Sequence, residues 1–328
     1  MAKKKSRSGL LKAPKTITGK HGVPKSLKPQ RAREIIRRFH VLQKSKDSVL
    51  AKLQKIIPQI SKNDYHQIEE MSIYQDSFKG FVLPLKYSEN PIYKIDHTLN
   101  KNDLITTLAC IDAEIKQRGG IEAYQSASTQ GQASKRGGDS SKKLVEWLKL
   151  DLYKLKLQNV NALEIGCLSP YNAISTSSIF DDVVRIDLNS QNTLILEQNF
   201  MDRPLPQKES EKFNLISCSL VINFVPSPKE RGEMLLRITK FLKKPKHAMS
   251  ALFLVLPLPC VSNSRYFDNE KLIEIMTALG FTQTFSYKGN KVVYWLFDWN
   301  GKVNLKKKIP KKELHSGSNR NNFCITLA

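Results

Sequence analysis

The run Asn161-Ala-Leu-Glu-Ile-Gly-Cys167 constrains this chain more than any other segment: a short apolar stretch that ends on an acid and a glycine. A second apolar run, Val183-Val-Arg-Ile186, ends on Asp187. A strand that stops at glycine lets backbone approach a ligand closely, and an acid at the tip of the next strand meets the hydroxyls of a ribose. Together they predict a Rossmann-like α/β fold with a nucleoside site at the tips of two neighbouring strands. The plainer alternative is a buried strand that ends in an ordinary turn.

The loop Gly166-Cys-Leu-Ser-Pro-Tyr-Asn172 has no second or third glycine. The dinucleotide fingerprint is therefore absent, and with it the close pyrophosphate approach that NAD requires. S-adenosylmethionine carries no phosphate, so a single glycine after Glu164 suffices, and an adenosyl cofactor is the expectation.

Charge narrows the partner. Lys and Arg number 53 against 30 Asp and Glu, a formal net charge of +23, which favours a polyanion. Basic residues crowd the first forty positions, with Glu34 the lone acid there, and a second block runs from Lys302 to Lys312. Two basic ends around a more neutral centre resemble arms gripping a phosphate backbone. The five cysteines are scattered, with no CxxC or Cys/His cluster, so no zinc site is expected and a reducing compartment is. No stretch approaches the roughly 18 apolar residues of a membrane helix, and the basic N-terminus lacks the apolar core of a secretory signal. No membrane, no metal, and a place in the nucleus or nucleolus are the expectations.

Periodicity divides the chain into a basic, disordered tail (1–28), a helical N-terminal region (29–120), a catalytic domain (121–300) and a basic C-terminal tail (301–328). A helix is predicted from Gln30 to Pro58, apolar on one side and carrying Arg31, Arg33, Arg37, Arg38, Lys44 and Lys46 on the other, suited to facing phosphates. Further helices are expected over 63–79, 104–118 and 143–157. The polar, glycine-rich run from Gly119 to Lys142 reads as a loop that touches cofactor or substrate. Strands are expected at 161–165, 183–187, 193–197, 213–218 and 251–256, helices at 229–242 and 269–279, and a hairpin over 281–297 around Lys288-Gly-Asn290. A mostly parallel sheet finished by a hairpin suits class I methyltransferases better than dehydrogenases. None of the six histidines sits in a hydrolase-like pattern, and Gly-x-Ser-x-Gly is absent.

With these residues in view, the chain resembles the fungal 25S rRNA adenine-N1 methyltransferase family over nearly its whole length. The resemblance rests on Tyr124-Gln-x-Ala-Ser-x-x-Gly-Gln132, Gly137-Gly-Asp-Ser-Ser-Lys142, Leu163-Glu-Ile-Gly166, Arg185-Ile-Asp187 and Ser217-Cys-Ser-Leu-Val-Ile-Asn-Phe-Val-Pro226. It implies a Rossmann-like class I S-adenosylmethionine-dependent methyltransferase with an N-terminal helical extension and basic tails. It also implies S-adenosyl-L-methionine as methyl donor, large-subunit rRNA as substrate and a nucleolar location; a pre-60S ribosomal particle as the form of that substrate, and a monomer, are further expectations. Metazoan relatives resemble non-catalytic S-adenosylmethionine sensors, so a sensor or a ribosome-assembly factor with this fold remains the alternative.

Carried over by position, Gly166 lines the cofactor's methionine side and Asp187 accepts from its ribose. Asn199 and Phe200 stand where an acid and an aromatic hold the adenine in many methyltransferases, with a core aromatic the alternative for Phe200, and Ser219 opens the segment that faces the methyl group. Adenine-N6 enzymes carry Asn/Asp-Pro-Pro-aromatic in that segment; this chain has Ser219-Leu-Val-Ile-Asn-Phe224, which fits a different target atom. Neutral adenine N1 has an available lone pair, so positioning and desolvation replace a strong base. Asn223 is the candidate to hold the base edge and Phe224 to stack on its ring. The alternative is that Leu220, Val221, Ile222 and Phe224 are simply core.

Overall fold

A computed structural model of the chain describes residues 29–61, 64–84, 89–96, 98–132, 138–150, 153, 158–190, 192–245, 248–305 and 308–327. The tail expected over 1–28 lies outside them. Seven strands form one sheet: β1 (Asn161–Ile165), β2 (Asp182–Asp187), β3 (Leu196–Glu197), β4 (Leu215–Ser219), β5 (Ala251–Pro257), β6 (Phe281–Lys288) and β7 (Val292–Trp299). Their order is β3-β2-β1-β4-β5-β7-β6. Strands β1 to β5 run parallel, and β7 is antiparallel to both β5 and β6. This is the Rossmann-like α/β arrangement expected. Its order reverses between β1 and β4, and such a switch point opens a crevice at the strands' C-terminal ends.

The helices are α1 (Pro29–Ile56), α2 (His66–Glu69), α3 (Ser72–Gly80), α4 (Lys101–Gln117), α5 (Gly120–Gln132), α6 (Ser141–Leu148), α7 (Ala173–Thr176), α8 (Pro228–Phe241), α9 (Leu258–Ser262) and α10 (Asn269–Ala278). β5 is buried on both faces, which is why it reads as an unbroken apolar run. Leu252, Leu254 and Leu256 pack with α8 and α10, while Ala251, Phe253 and Val255 pack with Leu144, Trp147 and Leu148 of α6. Capping boxes start α4 (Asn100 with Asp103) and α8 (Ser227 with Glu230). Helices α1 to α4 bury a core of their own, centred on Leu42, Leu53, Ile68, Leu104 and Leu108.

Several expectations change. The helix read over 63–79 is two helices, because the backbone turns extended at Met71. The run from Gly119 to Lys142, read as a loop, holds a 13-residue helix, α5, packed against α1. The helix read over 143–157 starts two residues earlier and is regular only to Leu148; most of 151–157 lies outside the described residues. The strand read at 193–197 is only β3.

The basic face of α1 also shrinks. Arg38 is buried, its guanidinium gripping both Glu114 oxygens at 2.6 Å and the Pro91 carbonyl at 3.0 Å. Lys46 sits 2.7 Å from Asp112. Arg31, Arg37 and Lys44 remain exposed.

The segment after residue 300, expected as a basic tail, does not hang free. Ile309 bridges Leu327, and Phe323, Ile325 and Leu327 enter the main core beside α8. Gly232 of α8 permits this: a Cβ there would lie 1.9 Å from the Thr326 carbonyl oxygen. Gly232→Ala is expected to cost about 1–3 kcal/mol by overpacking. The measurement is a denaturant melt with limited proteolysis, which should cut the variant first near residues 310–328.

Candidate active site

Three strand tips meet at the switch point. Ile165 pairs with Ile186 on one side and Cys218 on the other, so Gly166, Asp187 and Ser219 follow at adjacent strand ends. The amides of Gly166 and Cys167 both donate to the Ile186 carbonyl, at 2.9 and 3.0 Å, which ties the β1 loop to the β2 tip. Gly166 has φ +75°, and a Cβ there would lie 2.5 Å from Cγ2 of Val221. The glycine is therefore required by the segment after β4, which packs over it, as well as by its own backbone.

Asp187 is half-buried and accepts from the Asn189 amide at 3.0 Å; the described residues give it no cation. Burial raises its pKa above the usual carboxylate value. Glu164, not among the candidates read from the sequence, is the more unusual acid. It is 7% exposed; Oε1 accepts from Asn172 Nδ2 at 2.7 Å, whereas Oε2 is sealed from solvent with no partner. Burial pushes its pKa up to about 7. The Glu-x-Gly spacing was the available signal for it.

A second loop closes over the tips. Asp139 accepts from the amide and hydroxyl of Ser141 at 2.8 and 2.6 Å and also from the Ala173 amide at the start of α7. Ser141 Oγ accepts from the Ile174 amide at 3.0 Å. Ser140 Oγ meets Ser219 Oγ at 2.7 Å. The Asp139–Ser141 segment thus joins the β1–α7 loop to the β4 tip, a role its composition alone did not reveal.

After Ser219 the chain turns sharply. Leu220 has φ +58°, a conformation costly for a branched side chain, and its amide is held by the Val255 carbonyl at 2.9 Å. A single 3-10 turn follows over Ile222–Phe224. Ile222 is core, Asn223 Oδ1 is sealed from solvent without a partner, and Phe224 is 37% exposed. Phe224 stacks on His40 of α1 with ring centres 4.1 Å apart, and Tyr124 of α5 stands edge-on to both. His40 gave no sequence signal as a site residue because its partner lies far along the chain, whereas Tyr124 belongs to the run read as touching cofactor or substrate.

Two candidates fall elsewhere. The Phe200 ring is buried in the core against Phe241, so it is unavailable to a cofactor adenine. Asn199 is exposed, with its amide used locally: Nδ2 donates to Asp202 at 2.8 Å and Oδ1 accepts from the Met201 amide at 3.0 Å. The structure therefore brings together Gly166, Asp187, Ser219, Asn223 and Phe224, adds Glu164, and leaves Asn199 and Phe200 out. Among the described residues no cluster of three or more His, Cys, Asp or Glu is placed to hold a metal ion.

The donor set suits an adenosyl-sulfonium cofactor. Glu164 Oε2 lacks a donor and matches an ammonium group, while the Asp187 carboxylate matches a ribose diol.

The family model described as "25S rRNA (adenine(2142)-N(1))-methyltransferase, Bmt2" matches residues 109–325. A Saccharomyces cerevisiae protein of the name 25S rRNA (adenine(2142)-N(1))-methyltransferase is 36% identical, over 95% of this chain and 98% of its own length. A Schizosaccharomyces pombe protein, 25S rRNA adenine-N(1) methyltransferase, is 42% identical over 63% of this chain and 76% of its own. Among solved structures, the Bradyrhizobium japonicum N-methyltransferase NodS with S-adenosyl-L-homocysteine is similar at TM-score 0.34 and 15% identity, over 48% of this chain and 86% of that one. The family match and the near full-length relative carry the conclusion: this chain belongs to the 25S rRNA (adenine-N(1))-methyltransferase family.

Proposed function

We propose that the chain transfers the methyl group of S-adenosylmethionine to N1 of an adenine in large-subunit ribosomal RNA. The observation that carries this reading is the meeting of Glu164, Gly166 and Asp187 with the Asn223–Phe224 turn at one switch point, in a chain of this family. When bound, S-adenosylmethionine supplies an electrophilic methyl on a sulfonium.

The chain's own residues supply the rest. Asp187 would accept from the ribose hydroxyls and Glu164 Oε2 from the amino-acid ammonium. Ser219, tied to Ser140, fixes the β4 tip beside that of β1, on the side away from β2. No general base is needed, since N1 of neutral adenine already carries its lone pair; rate comes from alignment and exclusion of water. The base must leave its stack to present N1. Phe224 offers a partly exposed ring for it, and Asn223 Oδ1 an unused acceptor.

The net charge of +23 supports RNA as the partner through phosphate contacts that position the chain without choosing the base. On this reading it works as a monomer, on free rRNA or a pre-60S particle, in the nucleolus. Mass analysis of large-subunit rRNA from a strain lacking the gene tests the proposal. Loss of one N1-methyladenosine is expected; an unchanged content would favour a cofactor-binding sensor without turnover.

A further inference from the structure

Three of the five sealed, unpartnered side-chain polar atoms among the described residues lie around the strand tips: Glu164 Oε2, Asn223 Oδ1 and His40 Nε2. Such atoms each cost about 1–3 kcal/mol, so a cluster calls for a ligand that satisfies it. Glu164 has its role in cofactor binding. The other two share a neighbourhood, since the His40 ring stacks on Phe224, the residue after Asn223.

We infer that His40, from the N-terminal helical unit, is a specificity residue of the target-base site: Nε2–H of His40 and Oδ1 of Asn223 together read the N7 and N6 edge of the adenine. This assignment rests on the methyl-transfer reading and deepens it.

The chemistry selects that edge. One donor beside one acceptor complements adenine's N7 acceptor and N6 amino group, the pair that Asn and Gln read in nucleic acids. Guanine presents two acceptors there, N7 and O6, so Asn223 Oδ1 would face an oxygen and repel it. Holding N6 and N7 also leaves N1 unoccupied, as the reaction demands, whereas a grip on N1 itself would block it.

The ring geometry agrees. The imidazole and the Phe224 ring are inclined by only 18°, at 4.1 Å, so a base hydrogen-bonded in the imidazole's plane lies nearly parallel to the partly exposed Phe224 ring. Tyr124 walls one side, its ring at 83° to His40 and 86° to Phe224. Burial holds the imidazole neutral, with its pKa lowered to about 4, so the ring keeps one N–H and one lone pair at working pH. Both atoms are sealed from solvent, so base entry must part α1 from the 222–224 turn. Docking of RNA against α1's exposed Arg37 and Lys44 would act on the helix that moves.

The test uses the full chain, with His40→Phe to keep the stack and remove Nε2, and Asn223→Ala to remove the acceptor. Cofactor affinity by calorimetry should stay within about twofold of wild type in both, which also shows that they fold. kcat/KM for methylation of an rRNA fragment should fall about ten- to hundred-fold. The decisive arm is a fragment transcribed with 7-deazaadenosine, which lacks N7. Wild type should lose activity on it, and His40→Phe should lose nothing further, the non-additivity of two groups that share one bond. A His40→Phe enzyme as active as wild type, or one equally penalised by 7-deazaadenosine, overturns the assignment. A wild-type chain that binds cofactor yet methylates nothing overturns the parent reading instead.

Discussion

Gly166→Arg is expected to give a protein with no measurable S-adenosylmethionine binding and no methyl transfer. Two independent features of the backbone require glycine. The residue sits at φ +75°, where a Cβ costs about 1–2 kcal/mol. That Cβ would also stand 2.5 Å from Cγ2 of Val221, so the segment carrying Asn223 and Phe224 must shift before any longer side chain is placed. The arginine then brings a buried cation to a site built for a cationic cofactor. A milder pair isolates the steric part. Gly166→Ala should weaken cofactor binding, and Val221→Ala in the same chain should restore much of it by clearing the collision. Calorimetry with a parallel thermal melt reads both; normal binding by Gly166→Arg would mean that the β1 tip does not hold the cofactor.

Glu164→Gln should lower cofactor affinity by about ten- to hundred-fold and remove its pH dependence. The sign follows from the raised pKa. The carboxyl titrates near pH 7 in the folded chain and near 4.5 when exposed, so between those values the folded state holds the extra proton. Its contribution to the stability of the ligand-free protein is therefore most favourable below about pH 4.5. It is lost as pH rises through 7, amounting to about 3 kcal/mol at full ionisation. An ammonium ligand reverses this cost by favouring the carboxylate, so affinity should weaken as pH falls from 8 to 6, by about tenfold per unit well below the pKa. The glutamine variant should show a flat profile for both stability and binding over that window. A pH-independent wild-type affinity would remove Glu164 from the ligand site.

Much of the catalytic half is visible in the residues alone, because short-range pattern decides it. β1 and β2 announce themselves as apolar runs ended by acid and glycine, and the hairpin of β6 and β7 by its turn. Composition misled where long-range packing decides. Helix α5 has the glycines and polar residues of a linker, yet Tyr124 stacks on Phe39 of α1 and the helix forms against that partner. The C-terminal segment is basic through Lys312, but the apolar residues Phe323, Cys324, Ile325 and Leu327 beyond it are buried, and Gly232 leaves room for them. Phe200, readable as either an adenine-holding or a core aromatic, fills the core against Phe241. Arg38 and Lys46 looked like phosphate-facing charge because their acids, Glu114 and Asp112, come from a different helix. His40 could not have been found from sequence, since its significance lies wholly in the ring it meets across the two units.

The central claim is tested most directly by incubating the purified full chain with methyl-labelled S-adenosylmethionine and unmodified large-subunit rRNA, then digesting the RNA and locating the label by mass spectrometry. The account predicts label on adenine N1 at a single position, abolished by Asp187→Ala. Label on adenine N6 or on ribose, or cofactor binding with no label transferred, would contradict it.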